Sequence, residues 1–209
     1  CGGEEGYPGN LLVSVRYTFD DECRLGIHYQ ALCDQDTVIN LTNHSYFNLD
    51  GEDSGSVEGQ HLQIFADSFA ENDAGCLPTG RIVSLDSEEG APFDFREPTE
   101  IGKRLHEENI HLKNGSGYDH NYLLKKQPDG LCARAYSRSS GILLECRTSE
   151  PGMQLYTGNF LSTSNIVGKG GKSYADRAGF CLETQHYPNA MEHPEFPSVV
   201  LPAGKLYDT

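Results

Sequence analysis

Apolar and polar residues alternate along short stretches of this chain, which is the pattern of β-strands that bury one face. The alternation is clearest at residues 13–19, where Val, Tyr and Phe are interleaved with polar residues. Further stretches are rich in Val, Ile, Tyr, Phe and Thr and are separated by Gly, Pro, Asn and Asp: residues 25–32, 36–42, 61–66, 131–138, 142–147 and 153–160. The pattern therefore predicts many short strands.

Helical periodicity is weak throughout. The best candidate is residues 98–106, which begin with a proline where the first turn of a helix tolerates one, and which predict a helix of little more than two turns. Many short strands with turn residues between them are typical of an all-β protein, here a large antiparallel β-sandwich or a barrel. We expect residues 1–209 to form a single domain of this kind.

The composition excludes several classes of partner. Charged residues are 22% of the chain and hydrophobic residues 37%, with 23 Gly and 10 Pro, as in a loop-rich globular protein. The net charge is −15, and the 16 Lys and Arg residues are scattered, which argues against nucleic acid and against anionic membranes. No apolar run is long enough to span a membrane. A neutral ligand would feel little of the field of these charges, so the acidity bears mainly on solubility.

The seven cysteines form no CxxC pair, so neither a complete disulfide framework nor a metal site is predicted. Reduced, buried thiols in a cytoplasmic protein are the simplest interpretation. The first residue is Cys1 rather than methionine. We therefore expect the chain to be a piece of a longer protein.

A first polar cluster interrupts the apolar pattern in the string NLTNHSYFNL, residues 40–49. His44 follows a strand-like stretch, and an imidazole exchanges protons near neutral pH with little adjustment. The competing interpretation is a core histidine whose hydrogen bonds are made by Asn43 or Asn48. Local sequence alone leaves both open.

Two further clusters carry groups that could bind a ligand. In GYDHNY, residues 117–122, Asp119 is either an acceptor for ligand hydroxyls or the residue that closes an Asx-turn. In QLYTGNF, residues 154–160, Gln154 lies on a predicted strand and points either into a pocket or to the surface. Neither string decides between its alternatives.

The last cluster is GFCLETQHYPNA, residues 179–190. Glu183 lies in an apolar, strand-like run, where burial would raise the pKa of its carboxyl and make it a better base at neutral pH. The competing interpretation is a glutamate paired with a neighbouring Arg or Lys.

The four strings occur in the order in which the aldose 1-epimerase (galactose mutarotase) family carries similar strings, and the chain resembles that family. The resemblance extends to GEEGYPGNLLVSVRYTF at residues 3–19, PTG at residues 78–80 and FDFR at residues 93–96. It covers essentially the whole chain, and several of these motifs are long and unusual. The sequence therefore resembles this family along essentially the whole of residues 1–209.

The resemblance implies a galactose mutarotase-like supersandwich and a reaction, without a cofactor, that interconverts the α and β anomers of aldoses such as galactose and glucose. By their motifs, Glu183 resembles the general base that removes the proton of the C1 hydroxyl, and His44 the general acid that protonates the ring oxygen. Asp119, Gln154 and Asn43 are expected to bind the sugar. No metal is implied.

The chain also departs from the family pattern. Family members carry a further stretch before the GEEGYPGNL string, with an arginine and a first histidine that bind the sugar, and they usually continue with one more strand at the other end. We therefore expect the domain to be incomplete at both ends and to be completed by a companion chain or by the missing segment.

Three alternative functions remain open at this point. One is a carbohydrate-binding or structural subunit of the same fold without turnover. Another is a hexose-phosphate 1-epimerase, which should carry clustered arginines for the phosphate, and none lie near the motifs. The third is a glycoside hydrolase, for which Asp119 and Glu183 would be the two carboxylates, but the His44 motif argues against it.

Overall fold

Antiparallel β-strands make up most of the regular structure in the computed structural model, which describes residues 2–164 and 167–209. The strands are β1 (Leu11–Phe19), β2 (Leu25–Cys33), β3 (Thr37–Val38), β4 (His61–Ile64), β5 (Ala66–Asn72), β6 (Pro78–Ser84), β7 (Thr99–Glu100), β8 (Asp119–Leu124), β9 (Leu131–Tyr136), β10 (Leu143–Arg147), β11 (Gly152–Tyr156), β12 (Cys181–Gln185), β13 (Val200–Leu201) and β14 (Leu206–Asp208). All of their pairings are antiparallel. The predicted all-β class is confirmed.

The helix predicted at residues 98–106 is wrong. That segment forms the two-residue strand β7 and a single 3-10 turn, Ile101–Lys103. The backbone N–H groups of Ile101 and Gly102 donate to carbonyl groups in residues 58–60, at 2.9 and 2.8 Å, instead of to the preceding turn. Pairing with a neighbouring segment has therefore replaced the helical hydrogen bonds. The α-helix in the described residues is the short α1 (Ile110–Gly115).

The chain divides into two compact units. The terminal unit comprises Cys1–Leu41 with Ser198–Thr209, and the central unit comprises Thr42–Pro197. Two compact units can belong to one domain, so the single domain predicted for residues 1–209 stays a proposal.

The terminal unit consists of a three-stranded sheet in the order β1-β2-β14 and a two-stranded sheet formed by β13 and β3. Its buried apolar residues are few: Ala31, Cys33, Ile39, Val199 and Leu201. Every residue of β1 is exposed, although one face of this strand carries the alternating apolar residues that predicted it. The apolar face of β1 is therefore exposed to solvent.

The central unit is a β-sandwich. A four-stranded sheet, β10-β9-β4-β7, and a five-stranded sheet, β12-β11-β8-β5-β6, contribute to one apolar core. Residues exposed by no more than 1% come from both sheets: Leu62, Ile64, Ala133 and Ala135 from one, and Phe69, Tyr122, Met153 and Leu155 from the other. Burial of each large side chain of this type contributes about 1.5–3 kcal/mol, so the core fixes which face of each strand points inward.

In the five-stranded sheet, the residues that point into the core determine which residues point to the opposite face. On β8, His120 and Tyr122 are buried in the core, so Asp119 and Asn121 point to the opposite side. The same alternation applies to β11 and β12, where Leu155 and Leu182 belong to the core. Among the described residues, no helix has the length and apolar character needed to cross a membrane.

Candidate active site

The predicted site residues on strands lie on three adjacent strands of the central unit. In the register of the sheet, Gln154 on β11 lies between Glu183 on β12 and Asn121 on β8. One step along the strands, Tyr156 lies between Cys181 and Asp119. Since alternate residues of a strand face the same side, these side chains form two rows on the face that points away from the core.

The carboxyl group of Glu183 is held in a partly desolvated position. The residue is 8% exposed, and burial raises the pKa of its carboxyl to about 7; the negative charge of Asp119 acts in the same direction, while His44 opposes it. The charged contact of Glu183 is with the imidazole of His44, at 3.3 Å between Oε1 and Nε2, rather than with an Arg or Lys. Among the described residues, the Arg or Lys pairing considered for Glu183 is therefore not formed, and a pKa of about 7 suits a general base at neutral pH.

His44 reaches the site from the segment that precedes the loop 48–60. Phe47 and Phe180 exchange two backbone hydrogen bonds, at 2.8 and 2.9 Å, and this bridge ties the His44 segment to the start of β12. The imidazole side chain is 50% exposed. A buried core histidine is therefore the wrong interpretation of this motif, and the ring is accessible to a ligand.

The imidazole of His44 has contacts at both of its nitrogens. Nδ1 lies 3.4 Å from Sγ of Cys181, and Nε2 faces Glu183. The ring also packs against Tyr46 and Tyr156, with centroids 5.0 and 5.9 Å away. These contacts fix the direction of the ring while they leave one side of it open to solvent.

Asp119 and Gln154 form a hydrogen-bonded pair beside this acid/base pair. Nε2 of Gln154 donates to Oδ1 of Asp119 at 2.7 Å. Burial raises the pKa of the Asp119 carboxyl, whereas the Gln154 hydrogen bond and the nearby His44 lower it. Gln154 is thus not a free surface residue, and together the two side chains present acceptor and donor atoms of the kind that bind hydroxyl groups.

Asn43 is placed differently from the other predicted residues. Its Oδ1 accepts from the backbone N–H of Ser45 at 3.1 Å and from the Ser45 hydroxyl at 2.6 Å. This local turn shapes the segment that carries His44. A direct contact between Asn43 and a sugar stays a prediction.

Four further residues of the site were not singled out from the sequence. They are Cys181, Tyr156, Asn121 and Tyr46. Asn121 is 1% exposed, and its side-chain amide has no hydrogen-bond partner among the described residues. Each of these residues lies two positions from a predicted site residue, so the strand period would have found the first three.

Three side chains of the site are also metal-ligand types. One ligand atom each of His44, Cys181 and Glu183 can be chosen so that all lie within 4.8 Å of one another. In the present arrangement, however, the two imidazole nitrogens face different partners, the thiol and the carboxylate. The geometry fits proton exchange through Nε2 more directly than a shared ion, and the expected lack of a metal stays a prediction.

Comparisons with known proteins identify the family to which the chain is similar. A family model described as aldose 1-epimerase matches residues 2–209. The galactose mutarotase of Bos taurus is 45% identical over 207 residues, which are 99% of this chain and 58% of that protein. The solved structure of an aldose epimerase homologue from C. elegans superposes with a TM-score of 0.86 at 32% identity and covers 100% of this chain and 61% of that one.

A second solved structure, galactose 1-epimerase from Lactobacillus acidophilus NCFM, has a TM-score of 0.83 at 28% identity and covers 100% of this chain and 57% of that one. The chain therefore spans less than two thirds of the length of each of these relatives.

Proposed function

The chain belongs to the aldose 1-epimerase family, and from this we propose that it interconverts the α and β anomers of free hexoses, with galactose and glucose as expected substrates. The observation that carries the proposal is the pair formed by His44, from the segment before the loop 48–60, and Glu183 on β12, whose side chains are 3.3 Å apart. The Asp119 and Gln154 pair on the same face supports it. An acid, a base and groups that bind hydroxyls are what ring opening of an aldose requires.

The proposed reaction is two proton transfers around one bond cleavage. The Glu183 carboxylate removes the proton of the C1 hydroxyl, the bond from C1 to the ring oxygen breaks, and the electron pair left on that oxygen takes a proton from Nε2 of the His44 imidazolium. The product of this step is the open-chain aldehyde, with Glu183 protonated and His44 neutral. The two groups contact each other in the structure, so the sugar has to enter between them, and the half-exposed ring of His44 leaves room for that.

Reclosure reverses both transfers. Rotation about the bond from C1 to C2 presents the other face of the aldehyde, His44 removes the proton of the C5 hydroxyl, and Glu183 returns its proton to the aldehyde oxygen. The opposite anomer results, and both residues recover their starting states. Each positioned proton transfer contributes a rate factor of about 10² to 10⁴.

The substrate class follows from the charges around the site. In the described residues, the carboxyl groups of Glu183 and Asp119 contact His44 and Gln154, respectively, and neither carboxyl contacts an Arg or Lys. A neutral sugar is therefore favoured over a hexose phosphate. The six cysteines in the described residues are free thiols, as a reducing compartment maintains them, and this supports a cytoplasmic location.

The chain covers only part of the length of its relatives. Because the chain spans 58% of the Bos taurus relative, a companion chain or a further segment is proposed to supply the remaining sugar contacts. The alternative function for a chain of this family is a subunit that binds the sugar but does not catalyse its interconversion.

Polarimetry of freshly dissolved α-D-galactose and α-D-glucose distinguishes these functions. We expect the chain to accelerate the decay of optical rotation above the spontaneous rate, and Glu183→Gln to lower this acceleration by about 10² to 10⁴-fold. The exposed variant Glu192→Gln is the matched control and should retain the activity of the wild type. Sugar binding without acceleration would contradict the proposal and support the binding unit, and a faster reaction with glucose 6-phosphate would support the phosphate alternative.

A further inference from the structure

The thiol of Cys181 lies inside the candidate site, although no role has been given to it. The residue is fully buried and lies on β12 two positions before Glu183, so both side chains face the same side of the sheet. Its Sγ is 3.4 Å from Nδ1 of His44. One strand therefore supplies a partner for each nitrogen of the imidazole: the thiol for Nδ1 and the carboxylate for Nε2.

The environment of this thiol keeps it neutral. Burial raises the pKa of Cys181 well above its usual range, and the carboxylates of Glu183 and Asp119 raise it further. A cysteine that acts as a nucleophile has the opposite environment, in which nearby positive charge lowers the pKa of the thiol. The sulfur of Cys181 is thus an uncharged and weak hydrogen-bond acceptor.

The proposed reaction places a specific demand on the imidazole of His44. If Nε2 gives its proton to the ring oxygen and later recovers a proton, Nδ1 must keep its own proton in both states. A neutral imidazole that carried its proton on Nε2 instead could not act as the base in the reclosure step. Once the sugar separates Nε2 from the Glu183 carboxylate, which otherwise holds a proton on Nε2, an acceptor facing Nδ1 selects the required tautomer, as the orienting residue does in other acid/base pairs.

We propose that Cys181 is a positioning residue whose sulfur accepts a hydrogen bond from Nδ1–H of His44, so that Nε2 is the nitrogen that exchanges protons with the sugar. The inference rests on the proposed function, because it assigns the tautomer that this function needs.

The tautomer can be measured without any reference to activity. In the chain labelled with ¹⁵N-histidine and saturated with galactose, the chemical shifts of the two ring nitrogens show which one carries the proton in the neutral imidazole. We expect the proton on Nδ1 of His44 in the wild type and in Cys181→Ser, whose hydroxyl also accepts. We expect a shift toward Nε2 in Cys181→Ala. Cys132→Ala is the matched control, because it removes another buried thiol from the core and should leave the His44 tautomer unchanged.

Kinetics then separate positioning from a merely structural role. We expect Cys181→Ala to lower kcat by up to about 10-fold, the rate factor of one hydrogen bond of ordinary strength, because a bond to sulfur is weaker than that, with little change in KM. Cys181→Ser should recover most of kcat, and the melting temperatures of both variants check that they fold. Wild-type His44 with its proton on Nε2, or a Cys181→Ala variant with wild-type tautomer and kcat, would overturn the proposal. A tautomer that depends on Cys181 in a chain without catalysis would support it and count against the proposed function alone.

Discussion

The carboxyl of Glu183 shows how one residue obtains its chemistry from its surroundings. An ordinary glutamate is ionised at neutral pH and is a weak base, because its pKa is about 4.3. Burial on the outer face of β12, beside the carboxylate of Asp119, raises the pKa of Glu183 to about 7. The half-exposed His44 offsets this effect only in part. The same burial that makes Glu183 a better base therefore costs folding free energy whenever the carboxyl is ionised.

This cost predicts a pH dependence of stability. The folded chain binds the Glu183 proton more tightly than the unfolded chain does, so the contribution of this residue to stability falls as the pH rises from about 4.3 to about 7. Glu183→Gln lacks the ionisation. We expect thermal unfolding to show similar stabilities for the two proteins near about pH 4 and a variant that is more stable by up to about 3 kcal/mol above about pH 7.

The exposed variant Glu192→Gln serves as the control for this experiment and should follow the wild type at every pH. A difference between Glu183→Gln and the wild type that does not change with pH would show that the raised pKa of Glu183 is wrong.

Asp119 is expected to act through binding rather than through proton transfer. Its carboxylate is held by Gln154 and can accept hydrogen bonds from sugar hydroxyls, each of which contributes about 1.5–3 kcal/mol when one partner is charged. We expect Asp119→Asn to raise KM by about 10 to 100-fold with a smaller change in kcat, as measured by initial rates of anomer interconversion. Asp129→Asn, at an exposed turn, is the control. An Asp119→Asn variant with wild-type KM would remove Asp119 from the binding site.

At the scale of elements, β11 is the centre of the site because it pairs with both β8 and β12. Gly152 begins this strand, and a methyl group at its position would lie 2.8 Å from Oδ1 of Asn121 and 2.8 Å from Cδ1 of Tyr187. Glycine therefore makes room for the buried amide of Asn121 over the strand. The packing of Asn121 and Tyr187 therefore requires a residue without a side chain at position 152.

Gly152→Ala tests this close approach. We expect the substitution to destabilise the chain by about 1–3 kcal/mol, because buried groups must shift to admit the added methyl group. Denaturant unfolding measures the effect, and Gly59→Ala is the control, since a methyl group there would meet no atom within 4 Å. Equal stabilities of Gly152→Ala and the wild type would show that Asn121 and Tyr187 yield without cost.

The strands were predictable from sequence to the extent that their patterning is local. The alternation at residues 13–19 predicted β1, and the enrichment at residues 153–160 predicted β11. Pro98 misled the prediction because the N–H groups of the following residues pair with a distant segment. The helix α1 was missed because it is only six residues long, although Asn109 caps it with hydrogen bonds to two backbone N–H groups.

The site residues that belong to a recognisable motif could be predicted from sequence. Contacts between side chains that only the fold brings together could not. His44 and Glu183 were expected from their strings, and the structure places them 3.3 Å apart. The contact of Cys181 with His44 joins residues 137 positions apart. Sequence periodicity predicts that Cys181 shares a face with Glu183, but it cannot predict which distant side chain meets it there.

At the scale of the whole molecule, the exposed strand β1 is the most unusual surface. Leu12 and Phe19 are 74% and 73% exposed, and Val13, Val15 and Tyr17 are exposed as well. Apolar strands of this kind at a sheet edge favour association with another strand or another copy. The net charge of −15 opposes association, and salt screens that repulsion.

We therefore expect the isolated chain to self-associate more strongly at high salt. Sedimentation velocity should show a higher average mass at about 1 M than at about 0.1 M salt, and the double variant Leu12→Ser, Phe19→Ser should stay closer to the monomer mass. Met191→Ser removes an exposed apolar side chain from the central unit and is the control. A monomer at both salt concentrations would show that β1 does not act as a docking surface for a second copy.

The pH dependence of anomer interconversion tests the central claim most directly, because it joins the sheet face to the reaction. For wild-type chain acting on galactose, we predict that the acidic limb of the kcat/KM profile rises with pH through an apparent pKa of about 7, as the Glu183 carboxyl loses its proton. Glu183→Gln should lose both the activity and this transition. Activity that does not vary from about pH 5 to about pH 9, or that survives in Glu183→Gln with the same profile, would contradict the assignment of Glu183 as the base.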